Sequence, residues 1–290
     1  MKVECLAALG NRLGESPLWC DRRRRLYWVD SRGPALHWLD GGTLGSLPLP
    51  ELVGSIALLE EGTGLLAAMK TGFFILDPDR GTVTPFAALP DRVDHHRLND
   101  GRVDRSGRFW AGTMNDAERL PTGALYRLDP DRSVHRILDD VIVPNSLAWS
   151  PDGTVMYFAD TYRHRIDAFD FDTATGQPSS RRCFAEVAGP GRPDGSAVDA
   201  DGCLWNAEYA GGRLVRYTPA GRIDRVIAVP VSNPTCCAFG GSRFDTLFVT
   251  SAAQRLSPEQ LAREPLAGGL FAVQPGVSGL PESRFRGGLP

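Results

Sequence analysis

No stretch of this 290-residue chain approaches the roughly 18 consecutive apolar residues that a membrane-spanning helix needs, so no membrane partner is expected. The opening residues, MKVECLAALGNRLGESP, lack the hydrophobic segment of a signal peptide, and the cytoplasm is the expected compartment. Excess charge of one sign is missing too. Lys and Arg number 32 against 35 Asp and Glu, a net charge of −3, so nucleic acid is not an expected partner. The single basic run, Arg22 to Arg25, reads as a solvated turn between two strands. Six cysteines occur without any CxxC spacing. Cys236 and Cys237 are neighbours directed to opposite faces of a strand, and all six read as reduced, packed thiols. Long amphipathic helices are absent as well; SPEQLAREP (257–265) offers one short helical turn. With 42% hydrophobic residues the chain can still bury a full core.

What the chain does have is a repeat. SLAWSPDGTVMYFAD (146–160), SAVDADGCLWNAEY (196–209) and GRVDRSGRFWAGTM (101–114) share one pattern. In each, an apolar-alternating run meets a second, aromatic-bearing run through a turn ending in Gly. Asp152-Gly153 and Asp201-Gly202 are hairpin chemistry, because Gly accepts the positive φ of a tight turn. Weaker copies, ESPLWCDRRRRLYWVD, GSIALLEEGTGLLAAM and NPTCCAFGGSRFDTLFVT, place Arg23, Gly62 and Gly241 at the turn. The six marks fall at 23, 62, 107, 153, 202 and 241. Their mean spacing of about 44 residues is that of a four-stranded propeller blade. Further strands follow most hairpins, as in GALYRLDPD, RIDAFDFDTATG, GRLVRYTPAG and GGLFAVQPG. The expected fold is all-β: a six-bladed β-propeller with four-stranded blades around a central channel, residues 1–290 forming one domain. The N-terminal strand around Glu4 to Leu9 is expected to complete the last blade. Trp19, Trp28, Trp110, Trp149 and Trp205 recur at strand positions and read as packing between blades.

Eight residues before the marks lie Glu15, Gly54, Asn99, Asn145, Asp194 and Asn233. The first strand of a propeller blade lines the channel, so these positions form a ring around its axis. Five of the six carry oxygen-bearing side chains and two are acidic. Such a cage of hard ligands suits Ca²⁺, Mg²⁺ or Mn²⁺ better than a thiolate-seeking metal. Asn, Asp and Gly are also the usual turn residues ahead of a strand, so repeated turn chemistry is the other reading of the pattern.

GESPLW, RLNDGRVDRSGRFWAGTM, GALYRLD, VPNSLAWSPDGTVMYFADT, PDGSAVDADGCLWNA and NPTCCAFGG together resemble the gluconolactonase/regucalcin (senescence marker protein) family of sugar lactonases. The matching motifs run in order from residue 14 to about 250. The resemblance implies one divalent metal in the channel, Ca²⁺ first, with Zn²⁺, Mn²⁺, Mg²⁺ and Fe²⁺ as alternatives. It implies metal ligands at Glu15, Asn145 and Asp194, three members of the ring, and a substrate role for Asn99. Better-known members place a substrate-touching acid after AGTM. Asp116 and Glu118 are available there, and Glu118 is the candidate, although spacing does not separate the two.

The implied reaction is hydrolysis of an aldonolactone to its aldonic acid. Opening a cyclic ester builds negative charge on the carbonyl oxygen, which a metal stabilises as a Lewis acid. Asp194, able to hold the ion through one oxygen and reach water with the other, is the expected general base. Arg97 and Asn99 are expected to donate to the sugar's hydroxyls and ring oxygen. The structural alternative for Arg97 is an ion pair with Asp94 or Asp100, and Asp100 is expected to brace its loop from behind. His95 and His96 diverge as neighbours and do not make a zinc site; at most one reaches the site mouth. Asp160-Thr161 reads as a turn tying blade strands together. Ser16 and Ser146 have no partner His, which argues against a serine nucleophile. A related metal-dependent esterase or phosphotriesterase and a non-catalytic calcium-binding propeller are the alternatives. The joint presence of Asp194, Arg97 and Asn99 favours the enzyme, expected as a monomer acting on a small sugar lactone.

Overall fold

Each repeat folds into an antiparallel sheet, and its turn residue sets where the hairpin closes. In the computed structural model, which describes residues 1–288, Gly62, Gly107, Gly153, Gly202 and Gly241 all hold φ between 76° and 86°. Glycine enters that region without steric cost. In the first repeat Arg24, at φ 53°, takes this place and not Arg23. An Asp at the turn's start then ties it to the core. Asp104 accepts from the backbone N–H of Ser106 and Arg108 and from Trp110 Nε1 at 3.0 Å. Asp199 repeats the arrangement with Asp201, Cys203 and Trp205 Nε1 at 2.9 Å. Positions 289 and 290 of the expected domain lie outside the described residues.

The six inner strands are Gly14–Cys20, Val53–Leu59, His96–Val103, Pro144–Trp149, Arg192–Val198 and Pro234–Gly240. Each begins a four-stranded blade that continues outward in chain order, except the last. There the outermost strand is Glu4–Ala7, antiparallel to Leu270–Val273, so the N-terminus completes the sixth blade as expected. Successive inner strands touch, and the sixth meets the first. The fold is a six-bladed β-propeller. The helix expected in 257–265 is present as Pro258–Arg263, capped by Ser257 and Gln260. No helix among the described residues is long and apolar enough to cross a membrane.

The tryptophans do pack between blades. Trp28, Trp110 and Trp205 are fully buried; Trp110 meets Trp149 of the next blade at 5.8 Å, and Trp205 meets Phe239 edge-on at 6.3 Å. Of the run Arg22 to Arg25, the first three lie in the turn and Arg25 opens the returning strand, with Arg22 paired to Glu60, Arg23 to Asp79 and Arg25 to Asp40 and Asp79. All six cysteines are free thiols. One element has no counterpart in the repeat: Arg284–Phe285 adds a short parallel strand beside Val53–Leu59. On the way, Glu282 pairs with Arg102 of the third inner strand at 3.3 Å, and Phe285 packs fully buried against Phe86. The C-terminal segment therefore ties the sixth blade to the second and third.

Candidate active site

Five of the six inner strands break their ladder at the ring position, and the sixth does so just after it. Register shifts fall between Glu15 and Leu18, Val53 and Ser55, Leu98 and Gly101, Asn145 and Ala148, Pro193 and Ser196, and Pro234 and Cys236. A bulge bends its strand and re-aims the side chain there. Ser16 and Ser146, with φ of 50° and 58°, take up the bend directly after Glu15 and Asn145. The second blade contributes no side chain. A Cβ on Gly54 would stand 2.2 Å from the Asn99 carbonyl oxygen, so glycine is what lets the third inner strand approach this closely.

The bulges gather Glu15, Arg97, Asn99, Asn145 and Asp194 into one pocket at the channel mouth, with Thr161, Tyr162, Arg119, Arg192, Tyr209 and Arg255 also lining it. A larger cleft of about 580 Å³ lies among the hairpin turns of the fourth and fifth blades, walled by Pro151, Tyr157, Phe184 and Pro219. It holds none of the ring residues, so the chemistry belongs to the mouth.

A hydrogen-bond chain orients the amides. Arg97 Nη1 donates to Asn99 Oδ1 at 2.7 Å, and Asn99 Nδ2 donates to Asn145 Oδ1 at 3.1 Å and to the Pro144 carbonyl at 3.0 Å. Asn145 Nδ2 donates to Thr161 Oγ1 at 2.6 Å, which in turn donates to the Pro193 carbonyl at 2.9 Å. Three blades are linked this way, and Asn145 is held with its oxygen, which has a second lone pair, inside the site. Both amide hydrogens of Asn99 are spent on the chain. That corrects its expected role as a donor to the sugar; what remains is one lone pair on Oδ1. Arg97 is pinned through Nε and Nη1, while Nη2 has no acceptor among the described residues.

The two acids are in the opposite situation. No side chain among the described residues donates a hydrogen bond to the carboxylate of Glu15 or Asp194; each has only the backbone N–H of the next residue, Ser16 or Gly195. Burial pushes the Glu15 carboxyl well above its ordinary range, and the charges of Asp194 and Asp100 push it further, against the opposing charge of Arg97. Asp194 is raised by burial and by Asp100. Buried carboxylates without donors are costly unless a cation balances them. Two such groups beside an oriented amide oxygen form a donor set that fits a hard divalent ion. Asp100 accepts from the Leu147 N–H at 3.0 Å, so it braces the neighbouring blade, not its own loop, and it stands on the channel side.

Several expected residues are placed differently. The partner of Arg97 is Asp116, at 3.1 Å from Nε, and neither Asp94 nor Asp100. Arg32 also pairs with Asp116, and Arg119 stands 3.7 Å away. Burial pushes the Asp116 carboxyl up, but the hydrogen bond from Arg32 and the charges of Arg97 and Arg32 outweigh it and bring it down to about 2. Glu118 is exposed, its N–H held by Asn115 Oδ1 at 2.9 Å, and it is not part of the pocket lining; the next residue, Arg119, is. His95 is exposed, and buried His96 bonds Thr122 at 3.0 Å, so neither reaches the mouth. Asn233 precedes the sixth inner strand and its amide faces the Gln254 carbonyl at 3.4 Å; Gln254 and Arg255 line the pocket there instead. Ser16 and Ser146 are braces, Ser146 donating to the Asp194 main-chain carbonyl and Ser16 accepting from the Ile56 N–H. Asp160 ties its turn through the N–H groups of Ile142 and Val143, as expected, yet its neighbour Thr161 belongs to the site.

A carboxyl whose folded pKa lies below its unfolded value contributes stability above the unfolded value and loses it as pH falls through the folded one. For Asp116 that window runs from about pH 4 down to about 2. Asp116→Asn should therefore flatten the acid limb of stability by roughly 2 kcal/mol relative to the unsubstituted protein. Denaturant unfolding at a series of pH values between 5 and 2 reads this directly; parallel acid limbs in the two proteins would remove Asp116 from the account.

Fold and site together define a class: six-bladed propellers that collect unpaired acids and oriented amides on bulged inner strands at one end of the channel. Residues 13–253 match the family described as SMP-30/Gluconolactonase/LRE-like region. The chain belongs to that family. It is 39% identical to a 6-deoxy-6-sulfogluconolactonase of Pseudomonas putida, with 98% of this chain and 99% of that protein covered. An L-arabinolactonase of Azospirillum brasilense is 40% identical over 97% of this chain and 95% of its own length. Among solved structures, a calcium-binding protein, regucalcin, from Agrobacterium tumefaciens is similar with a TM-score of 0.93 and 30% identity, covering 98% of this chain and 97% of that one.

Proposed function

We infer that the protein hydrolyses a sugar lactone to the aldonic acid with the help of one divalent metal ion held by Glu15, Asn145 and Asp194. The observation that carries this is the pair of buried carboxylates without side-chain donors, set beside an amide oxygen that a hydrogen-bond chain holds in place. Relatives named as sugar lactonases, similar over nearly the whole chain, support the same reaction. A bound divalent ion supplies Lewis-acid stabilisation of the charge that develops on the carbonyl oxygen. Asp194 takes the proton from the attacking water as the new C–O bond forms, and that proton leaves with the ring oxygen when the ester C–O bond breaks. Arg97 Nη2 donates to the sugar and fixes its orientation. Asn99 holds Arg97 and Asn145 in register, and accepts from a sugar hydroxyl through its remaining lone pair.

The test is acid release from a panel of aldonolactones by metal-stripped protein, with and without Ca²⁺, Mg²⁺, Mn²⁺, Zn²⁺ or Fe²⁺, corrected for spontaneous opening. Metal-restored turnover is the expected result. The similarity to a structure described as a calcium-binding protein favours one second reading, a propeller that binds Ca²⁺ without catalysis. Folded, calcium-loaded protein that opens no lactone would select it.

A further inference from the structure

Four guanidinium groups, Arg97, Arg119, Arg192 and Arg255, line the pocket against two carboxylates, Glu15 and Asp194. Asp116 and Asp100 stand beside these groups as well, so what distinguishes the mouth is not its total charge but which of its arginines lack a carboxylate partner. The four are not equally engaged. Asp116 takes up Arg97 and stands near Arg119. Arg192 has no carboxylate partner among the described residues: its Nε is buried without any acceptor, and its guanidinium lies over the Tyr162 ring at 4.8 Å. Arg255 has no carboxylate partner among them either, and meets the Tyr162 hydroxyl instead.

The Arg192 Nε is sealed from solvent, so a ligand in the pocket meets this side chain through its Nη groups, for which a neutral sugar hydroxyl is a weak partner. An oxyanion with two or three oxygens matches the planar fork of an arginine, and the bonds it accepts are charge-assisted. Stacking on Tyr162 holds the Arg192 fork in place before a ligand arrives, which lowers the ordering cost of binding. Arg192 opens the same inner strand that carries Asp194 two residues later. Two residues of strand span roughly 7 Å, about the length of one hexose.

From this arrangement we propose that the lactone taken by the site carries a negatively charged group, a sulfonate, phosphate or carboxylate, at the end of the sugar remote from the ester carbonyl, and that Arg192 and Arg255 grip it. The proposal rests on the lactonase reading above and adds the charge of the substrate to it. Arg97 and Asp194 act at the lactone end, Arg192 and Arg255 at the other.

The experiment compares kcat/KM of the metal-loaded protein on gluconolactone with its C6 sulfonate, phosphate and carboxylate counterparts. At least one charged lactone should exceed the neutral one by a factor on the order of 100, chiefly through KM, and the advantage should shrink as ionic strength rises. Arg192→Met should bring the charged-to-neutral ratio down to a few-fold; Arg192→Lys, which keeps the charge and loses the fork, should retain part of it. Circular dichroism and Tm establish that each variant is folded, and the ratio in the unsubstituted protein stands as a test if Arg192→Met does not fold. Equal or better turnover of the neutral lactone overturns the proposal and leaves the lactonase reading intact, as does an unchanged ratio in folded Arg192→Met. No turnover of any lactone, charged or neutral, by folded and metal-loaded protein overturns both.

Discussion

Asp194→Asn lowers lactone turnover by a factor on the order of 100 or more, measured at saturating metal, while the protein stays folded. The fold should survive because the backbone at this position does not depend on the side chain's charge. The Asp194 main-chain carbonyl accepts from Ser146 Oγ and from Asn206 Nδ2, and neither bond involves the carboxylate. Asparagine has the same shape and removes a buried charge that burial and Asp100 already disfavour. What it cannot do is accept the proton that water loses as it attacks the ester. Weaker metal binding is expected too, which is why the comparison is made on kcat with metal titrated to saturation. Near-normal kcat there would remove Asp194 from the role of base and leave it as a ligand only.

The parts of the site that could be read from sequence are those that share the repeat's phase. The turn glycines lie a fixed distance after the bulged position, so counting back from Gly153 and Gly202 lands on Asn145 and Asp194, and the bulges explain why those side chains share one face of the ring. Gly54 fits the same logic as the gap into which the third blade's backbone packs. Loops between strands keep no such phase. Thr161 and Tyr162 enter from the short 3-10 turn Thr161–Arg163, and Arg119 and Arg255 from loops, whose length and direction nothing periodic constrains. After Asn115 a shift of a few residues decides what turns inward, and the structure turns Asp116 and Arg119 in and Glu118 out. Arg192 does lie on an inner strand, but it precedes the ring position and only the pocket geometry shows where it points. The short strand Arg284–Phe285 is two residues long and leaves no pattern to read.

Glu15→Gln should change stability in opposite directions depending on metal. Without metal, Glu15 shares the channel with Asp194 and Asp100, all three raised by burial, and no side chain donates a hydrogen bond to Glu15. Neutralising one of three buried negative charges relieves repulsion, so the metal-free variant should melt above the metal-free parent protein. With metal the order should reverse, because the same carboxylate is one of the two acids proposed as ligands of the ion. A ligand that binds only the folded state stabilises it by RT ln(1 + [L]/Kd), and a loss of affinity on the order of 100-fold removes about 2.7 kcal/mol of that stabilisation at a fixed metal concentration. Thermal unfolding of both proteins, in chelator and in excess metal, gives the four Tm values needed. A purely structural role for Glu15 predicts the same sign in both conditions, and an equal metal-induced rise in Tm for parent and variant would take Glu15 out of the ligand set. Crossing curves would tie the ring inferred from the repeat to the charge that makes the propeller's channel a metal site.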